Sequence, residues 1–470
     1  MIAPEVWVTR RLEAELVAVG IKNASVSQQF GALRQDLRVF DGTAIVVGTI
    51  IGSAIFLVPA AIAVQLASPL QAFAAWILGG VLSLFGGLSL AELGAAYPGA
   101  GGIYIYLREI YGPLPAFLYG WGLLSMIHSG SIAALAVAFG LYAGHLFSLH
   151  AAARQILSVA FIALLTTVNC FGIYSGKLVQ NCLTVLKFSG LVLMIVMLFH
   201  REHVFAVPVS RFSLDGLFQL SAPFGIALVA VLWAFEGWHV ISFAAGEMKN
   251  PRRDLPRCLL YGILVVTLIY ILANASYYGV LSSREIAQSP IVASAAIAKA
   301  YGEPASRFIS ILILVSVLGA MNGLVLTGPR VYYAMARDGL FFKRFGRTGG
   351  KSGAPIFSLC IQGIWAAVLT WSGTYTQIIT YVIFTAWLFY GLTVAGVIVL
   401  RWREPEQERP FRMPWYPFVP IVFCLASIGI VLASVIAGPS RALIGMGLVL
   451  TGVPVFLLFR YHTTERFKGT

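Results

Sequence analysis

Long apolar runs separated by short segments that carry nearly all of the charge set the pattern of this chain. A helix needs about 20 largely apolar residues to cross the hydrocarbon of a bilayer. Twelve runs approach or exceed that length: 39–65, 70–97, 113–147, 153–173, 179–199, 221–246, 256–281, 307–336, 355–372, 375–402, 417–437 and 441–460. Each predicts a transmembrane α-helix, so the expected fold class is an all-α integral membrane protein with twelve transmembrane helices. An even number of crossings puts both termini on one side.

Two runs break the pattern. The first has glycine and polar groups at its midpoint, Gly48-Thr-Ile-Ile-Gly-Ser-Ala-Ile-Phe56, and the sixth has Trp233-Ala-Phe-Glu-Gly-Trp238. They stand five runs apart. A break repeated at corresponding places in two five-helix halves points to a transporter with inverted repeats and a binding site at the membrane midplane. Helices 1 and 6 are therefore expected to be discontinuous. The expected domains are a cytoplasmic tail at 1–38, a ten-helix transport core at 39–402, and a closing region at 403–470 with helices 11 and 12 and a short cytoplasmic end.

Composition narrows the class. The chain has 470 residues, 59% of them hydrophobic and 11% charged, with a mean hydropathy of +0.85, which excludes a soluble enzyme. The net charge of +13 does not imply a nucleic-acid partner, because Lys and Arg lie in short loops. Counted by loop they divide 24 to 7, with Lys187 left inside a run, and the richer side carries both termini. That bias predicts cytoplasmic termini in a multi-pass protein of the plasma membrane. No segment has the order of a cleaved signal peptide, so the first crossing is expected to serve as an uncleaved signal; residues Val6 to Val19 show a weak amphipathic pattern. Five cysteines without metal spacing read as core residues, and no metal or cofactor is expected.

The chemistry follows from the breaks. Gly48 and Gly52 form a GxxxG, which serves close helix packing as readily as an opening; Ser53 and Pro59 favour the opening. If the helix opens near Gly52, the amides of the half that starts at Ser53 face the gap, and its positive dipole end attracts a carboxylate. The matching gap in the sixth run frees carbonyls near Trp233 and Ala234, which accept from an ammonium. A carboxylate at one break and an ammonium at the other describe an amino acid.

Glu236 is a carboxylate within a span, and three roles fit it: proton carrier, partner for a cationic side chain, or structural acceptor. Lys187 is read as the one basic residue inside a span, one or two turns from the end of the fifth helix. It either snorkels to the interface or ties the opened first helix to the eighth. Trp233, Phe235, Trp238, Tyr381 and Trp387 are candidates to close over a substrate, Trp233 foremost. His128, Ser129 and Ser131 on the third run, and Ser316 and Asn322 on the eighth, read as interhelical hydrogen-bonding patches. Glu92 with the glycine-rich Tyr97–Gly102 lacks any nucleotide-fold context and reads as a turn before an amphipathic stretch at Ile103–Tyr111. The Asn-x-Ser matches at Asn23 and Asn274 are not expected to carry glycans.

These residues resemble the amino acid-polyamine-organocation (APC) superfamily. The likeness rests on Gly48-Thr-Ile-Ile-Gly-Ser-Ala-Ile-Phe-Leu-Val-Pro59, Ala91-Glu-Leu-Gly94, Gly101-Gly-Ile-Tyr104, Tyr111-Gly-Pro-Leu-Pro-Ala-Phe117 and Glu247-Met-Lys-Asn-Pro-Arg-Arg-Asp-Leu-Pro256. It runs from about residue 38 to 420 and ends in Arg403-Glu-Pro-Glu-Gln-Glu-Arg-Pro-Phe411, typical of the L-type amino acid transporters and their bacterial relatives. The resemblance implies a LeuT-type core of five plus five inverted helices working by alternating access. It implies a substrate carboxylate on the amides of Ile50, Ser53 and Ala54, and an amine on the carbonyls of Ile50, Trp233 and Ala234, with Gly52, Glu236 and Gly237 in the same site and Trp233 as gate. Lys187 matches the lysine that replaces a sodium site in sodium-independent members. Ala54 departs from the usual third glycine, and Glu236 from the small residue of many neutral amino-acid members. Residues 144–155 contain no cysteine where the animal family has one, so no disulfide-linked heavy subunit is expected.

The expected function is therefore transport of an L-amino acid by a sodium-independent exchanger of neutral substrates; the rival is proton-coupled uptake, in which Lys187 or Glu236 loses and regains a proton and Glu236 admits cationic amino acids. A membrane-embedded enzyme is not expected, because no Ser/His, paired Asp or metal constellation falls within the runs. A sensor is not expected either, since the longest tail has 38 residues.

Overall fold

The computed structural model describes residues 33–66, 68–200, 222–289, 291–350, 352–372, 375–437 and 439–459. The Val6–Val19 stretch, Asn23 and the basic residues of 460–470 lie outside them. Among the described residues the chain is helical, apart from turns, loops and a two-residue bridge between Leu37 and Met248. Eight helices are long and apolar enough to cross a membrane, or nine if one bent pair counts as a single span. This is the architecture of a multi-pass membrane protein. Three shorter apolar helices, Ala222–Ala234, Ile356–Trp371 and Leu443–Phe459, lie where the sequence predicts crossings six, nine and twelve.

In chain order the bent pair is α1 (Val39–Ile50) and α2 (Ala54–Gln65), followed by α3 (Pro69–Ala96) and the short amphipathic α4 (Ile103–Tyr111). Helix α5 (Pro113–Gly122) passes through a π turn at Leu123–Ile127 into α6 (His128–Phe147), and α7 (Ala151–Cys170) and α8 (Ile173–His200) follow. Helix α9 (Ala222–Ala234) gives way to a 3₁₀ segment at Val240–Glu247, then α10 (Pro251–Val280), α11 (Ser283–Gln288) and α12 (Val292–Tyr301). Helices α13 (Glu303–Thr327) and α14 (Pro329–Arg337) adjoin at Gly328, and α15 (Ile356–Ser372), α16 (Tyr375–Arg403), α17 (Phe418–Ala437) and α18 (Pro439–Leu450) complete the order.

Local chemistry explains the boundaries. Proline opens α3, α5, α10 and α14, where its missing N–H is not needed. The sequence predicts only a connection over 282–306, but two helices form there. Ser282 and Glu285 cap α11 reciprocally, and α12 packs Val292, Ala293, Ala296 and Ile297 inward, against α13 among others.

Small residues decide how closely the helices approach. On α3, a Cβ at Gly80 would stand 2.5 Å from Thr267 Cγ2, and one at Gly87 would stand 2.4 Å from Ile263 Cδ1, so these glycines let α10 lie against α3. Helix α1 is enclosed by α8, α10 and α13.

Buried ion pairs knit the ends of the spans together. Arg330, which the sequence reading assigns to a loop, lies fully buried in α14. Its Nε donates to Glu247 Oε2 at 2.7 Å and its Nη2 to Glu247 Oε1 at 3.1 Å. Lys187 is therefore not the one basic residue buried in the helical body. A guanidinium that finds a bidentate carboxylate can leave water, and composition alone does not show that pairing. Glu92 is a second such anchor: it accepts from Arg401 Nε at 2.8 Å, Arg401 Nη2 at 2.6 Å and the Met413 amide at 2.8 Å. It thereby fastens the 403–413 linker to α3. Glu92→Ala should lower stability by about 3 kcal/mol, since it strands a partly buried guanidinium. Thermal unfolding in detergent checks this, and an unchanged midpoint would refute the anchoring role.

Candidate functional site

The first break lies where the sequence predicts it. Helix α1 stops at Ile50, α2 starts at Ala54, and their axes differ by 42°. The two glycines divide the roles that spacing left open. A Cβ at Gly48 would be 2.2 Å from both Gln180 Nε2 and Thr184 Oγ1, so this glycine packs α1 against α8; Gly52 sits in the break itself. Ser53 is the N-cap of α2 and Ala54 its first residue, so the first-turn amides of α2 point back toward the gap. Ile50 is different: it ends α1, and its amide belongs to the helical ladder of α1. It offers the gap its carbonyl and not its N–H, which corrects the expectation of an Ile50 amide for a carboxylate.

The second break follows Ala234. Gly237 takes φ +109°, a conformation open to glycine at little cost, and the chain resumes as the 3₁₀ segment. A Cβ on Gly237 would be 2.8 Å from Thr49 Cγ2, so the two breaks touch. Tyr270 on α10 joins them further. Its hydroxyl lies 3.0 Å from both Ile50 O and Ala234 O, two of the three carbonyls expected to meet an amine. The Trp233 carbonyl accepts from the Glu236 amide at 3.0 Å. Tyr270 was not anticipated, since a tyrosine in a span reads as packing. Asn274 holds the same turn through Nδ2 to Tyr270 O at 2.8 Å, and is fully buried.

Between the breaks lies a cavity of about 30 Å³. Ile50, Gly52, Ser53, Ala54, Trp233, Glu236 and Gly237 line it, with Thr49, Ser131, Leu135 and Leu324 as unpredicted neighbours. Ala234 is brought to its edge by the Tyr270 bridge. At that volume the cavity holds about two waters, so an amino acid enters only if the lining moves. Of the expected aromatic lid, only Trp233 faces this space. Phe235 packs on Trp76 and Tyr270, Trp238 on Tyr390 and Phe423, and Trp387 stacks on Phe423 at 5.4 Å. These rings belong to the core because α3, α10 and α17 offer matching apolar faces. The Tyr381 side chain lies outside the described residues.

Lys187 sits at the middle of α8, not near its end, and is buried. It does not snorkel. Its Nζ donates to Gly48 O, to Ile51 O at 2.7 Å and to Ser316 O at 3.3 Å. Ser316 Oγ in turn lies 3.2 Å from Ile51 O and 3.1 Å from Gly52 O. The ammonium thus ties α1 and the break to α13, and its three donors meet three carbonyls. The negative end of α1 adds to the attraction.

Glu236 lies beside the cavity within a polar group. Tyr390 Oη donates to its Oε1 at 2.6 Å and stands 3.2 Å from His239 Nε2; His239 Nδ1 is 3.8 Å from the same carboxylate oxygen. His128 donates from Nε2 to Leu324 O at 3.0 Å, and Ser131 donates to Ile127 O at 2.7 Å. Asn322 joins Gln180 and Asn169. His128, Ser316 and Asn322 thus make the interhelical bonds the sequence reading expects, whereas Ser131 bonds within its own helix and lines the cavity, and the buried Ser129 hydroxyl meets no acceptor among the described residues.

A family model described as amino acid permease matches residues 37–458. The chain is 33% identical over 444 residues to the b(0,+)-type amino acid transporter 1 of Homo sapiens, covering 92% of this chain and 89% of that protein. It is 31% identical over 429 residues to the serine/threonine exchanger SteT of Bacillus subtilis (strain 168), covering 90% and 96%. With the human cystine/glutamate transporter it shares 28% identity over 431 residues, covering 91% and 85%.

Tyr270→Phe leaves two break carbonyls without their hydroxyl donor. It should cost about 1–3 kcal/mol, measured as a lower unfolding midpoint in detergent without substrate. A midpoint equal to that of the parent protein would show that the bridge contributes nothing.

Proposed function

The chain belongs to the amino acid permease family of the APC superfamily, on the branch of the L-type transporters and their bacterial relatives, and from this we propose a sodium-independent exchanger of neutral L-amino acids that works by alternating access. Amino acid transport as such follows from the family, and no covalent chemistry is involved. The printed names of the relatives range from serine/threonine to cystine/glutamate, so the preferred substrate has to come from the site.

The observation that carries the proposal is the caged ammonium of Lys187. It brings N–H donors to the Gly48 and Ile51 carbonyls of the first break, where a bound metal cation could otherwise sit. With those acceptors engaged, sodium has no carbonyl cage to enter. The first-turn amides of α2 then suit the substrate carboxylate at Ser53 and Ala54, and the carbonyls of Ile50, Trp233 and Ala234 suit the amine. An arriving ammonium would share or displace the Tyr270 hydroxyl. The 30 Å³ cavity has to widen to admit cargo, and this fits a contracted state between two open ones, with Trp233 as the moving wall.

In this reading the three shorter apolar helices complete a membrane domain of twelve helices. Its core is of LeuT type, five plus five, within 39–402, flanked by the 1–38 tail and the 403–470 region. The Lys and Arg bias supports cytoplasmic termini in a plasma-membrane protein. The cysteine-free 144–155 segment supports operation without a disulfide-linked heavy subunit.

A second reading has its own observation. Glu236 puts a buried carboxylate beside the cavity, held by Tyr390, which favours proton-coupled uptake or a cationic side chain in the site.

Lys187→Ala should reduce uptake in proteoliposomes at least about tenfold, because it leaves the Gly48 and Ile51 carbonyls of the break facing an empty space and cuts their tie to α13; near-normal flux would overturn the proposed role. Counterflow with and without a pH gradient separates the two readings. Exchange predicts trans-stimulation by internal amino acid and no dependence on the gradient. Glu236→Gln should leave neutral exchange within a few-fold while abolishing any uptake of cationic amino acids. Loss of neutral exchange together with its pH dependence would favour the proton-coupled alternative.

A further inference from the structure

A second cavity lies away from the breaks. A space of about 250 Å³ lies where the end of α6, the start of α7 and the end of α15 meet, lined by Gly140, Leu141, Arg154, Gln155, Ser158 and Thr370 among others. Its shape depends on two glycines one turn apart. A Cβ at Gly140 would be 2.5 Å from Ser158 Oγ, and one at Gly144 would be 2.3 Å from Arg154 Cδ, so the arginine stem lies across α6 only because Gly144 has no side chain.

The polar groups of the cavity are unequally satisfied. The Ser158 hydroxyl is engaged by Ala136 O at 2.7 Å and Arg154 O at 2.9 Å, and the Thr370 hydroxyl donates to Ala367 O at 2.6 Å. The Arg154 guanidinium has five N–H donors, yet no acceptor and no carboxylate meets it among the described residues. Helices α6, α7 and α15 contain no Asp or Glu. A partly buried guanidinium in such surroundings is a ready partner for an anion. The first turn of α7, where Arg154 lies, adds the positive end of a 20-residue helix.

We propose that this cavity binds the phosphodiester of a membrane phospholipid, with Arg154 as its bidentate partner and Gln155 beside it. The depth fits a headgroup: Phe147 and Trp371 are exposed at this end of the bundle, as aromatic side chains are at a membrane interface. An acyl chain has an apolar path along α7, where Ile156 and Leu164 are exposed. A free inorganic phosphate satisfies the guanidinium equally but uses none of that apolar path.

The test is native mass spectrometry of the full chain, stripped of lipid and titrated with dioleoylphosphatidylglycerol, with dioleoylglycerol, which lacks the phosphate, and with inorganic phosphate as competitor. The expected result is retention of phosphatidylglycerol in preference to dioleoylglycerol, weakened about tenfold by Arg154→Gln and less by Arg154→Lys, with no displacement by millimolar phosphate. Equal retention of both lipids by the parent protein overturns the proposal even if no variant can be purified. Equal retention by Arg154→Gln overturns it as well. Competition by inorganic phosphate reassigns the cavity to a free anion and overturns the phospholipid.

Discussion

A single buried ammonium organises the centre of this protein. Lys187 comes from the middle of α8, and its three N–H bonds meet carbonyls of Gly48, Ile51 and Ser316. Each side of that contact is costly alone. An unpaired cation inside a membrane span would be expelled or neutralised, and carbonyls released from a helical ladder would lack donors. Together they make the interruption of α1 tolerable and fix α13 beside it. The small residues around this contact follow from it. Gly319 clears the space for the ammonium, since a Cβ there would be 2.8 Å from Lys187 Nζ, and Gly323 does the same for Thr49.

The second interruption is held differently. Among the described residues no Lys or Arg reaches it; the Tyr270 hydroxyl spans the Ile50 and Ala234 carbonyls, and Gly237 lets the two segments touch. A hydroxyl is a weaker and more easily displaced partner than an ammonium. The two breaks are therefore held differently, with the Lys187 amine fixed by three carbonyls at one and a single exchangeable hydroxyl between them. That asymmetry would suit the amino acid proposed as cargo, with a fixed frame for its carboxylate and acceptors that can change partners for its amine.

The breaks themselves were legible in the sequence, because glycine, serine and glutamate interrupt otherwise apolar runs. So were Lys187 as a tie to the eighth crossing and Trp233 as a wall of the cavity. What sequence could not give was which side chains meet. Tyr270, Tyr390 and His239 stand in apolar or aromatic surroundings that offer no periodic signal, since a helix buried on all sides has no polar face to orient it. The same blindness left Trp238 and Trp387 as candidates to close over a substrate when they pack against Phe423 of α17, and counted Arg330 with the loops although Glu247 draws it inside. The Gly319–Gly323 spacing was an available signal for close approach to α1, and its meaning emerges only once Lys187 and Thr49 are seen against it.

The bridge between Leu37 and Met248 has a further consequence. The Leu37 amide donates to Glu247 O at 2.9 Å, and the Lys249 amide donates to Leu37 O at 3.1 Å. The segment entering the first interrupted span is thus bonded to the segment leaving the second through main-chain atoms alone. The joint itself needs only main-chain atoms, while the buried side chains of Leu37, Glu247 and Met248 pack it into the body of the protein. Any displacement of one interrupted helix along the bilayer normal is handed to the other without a charged or aromatic intermediary.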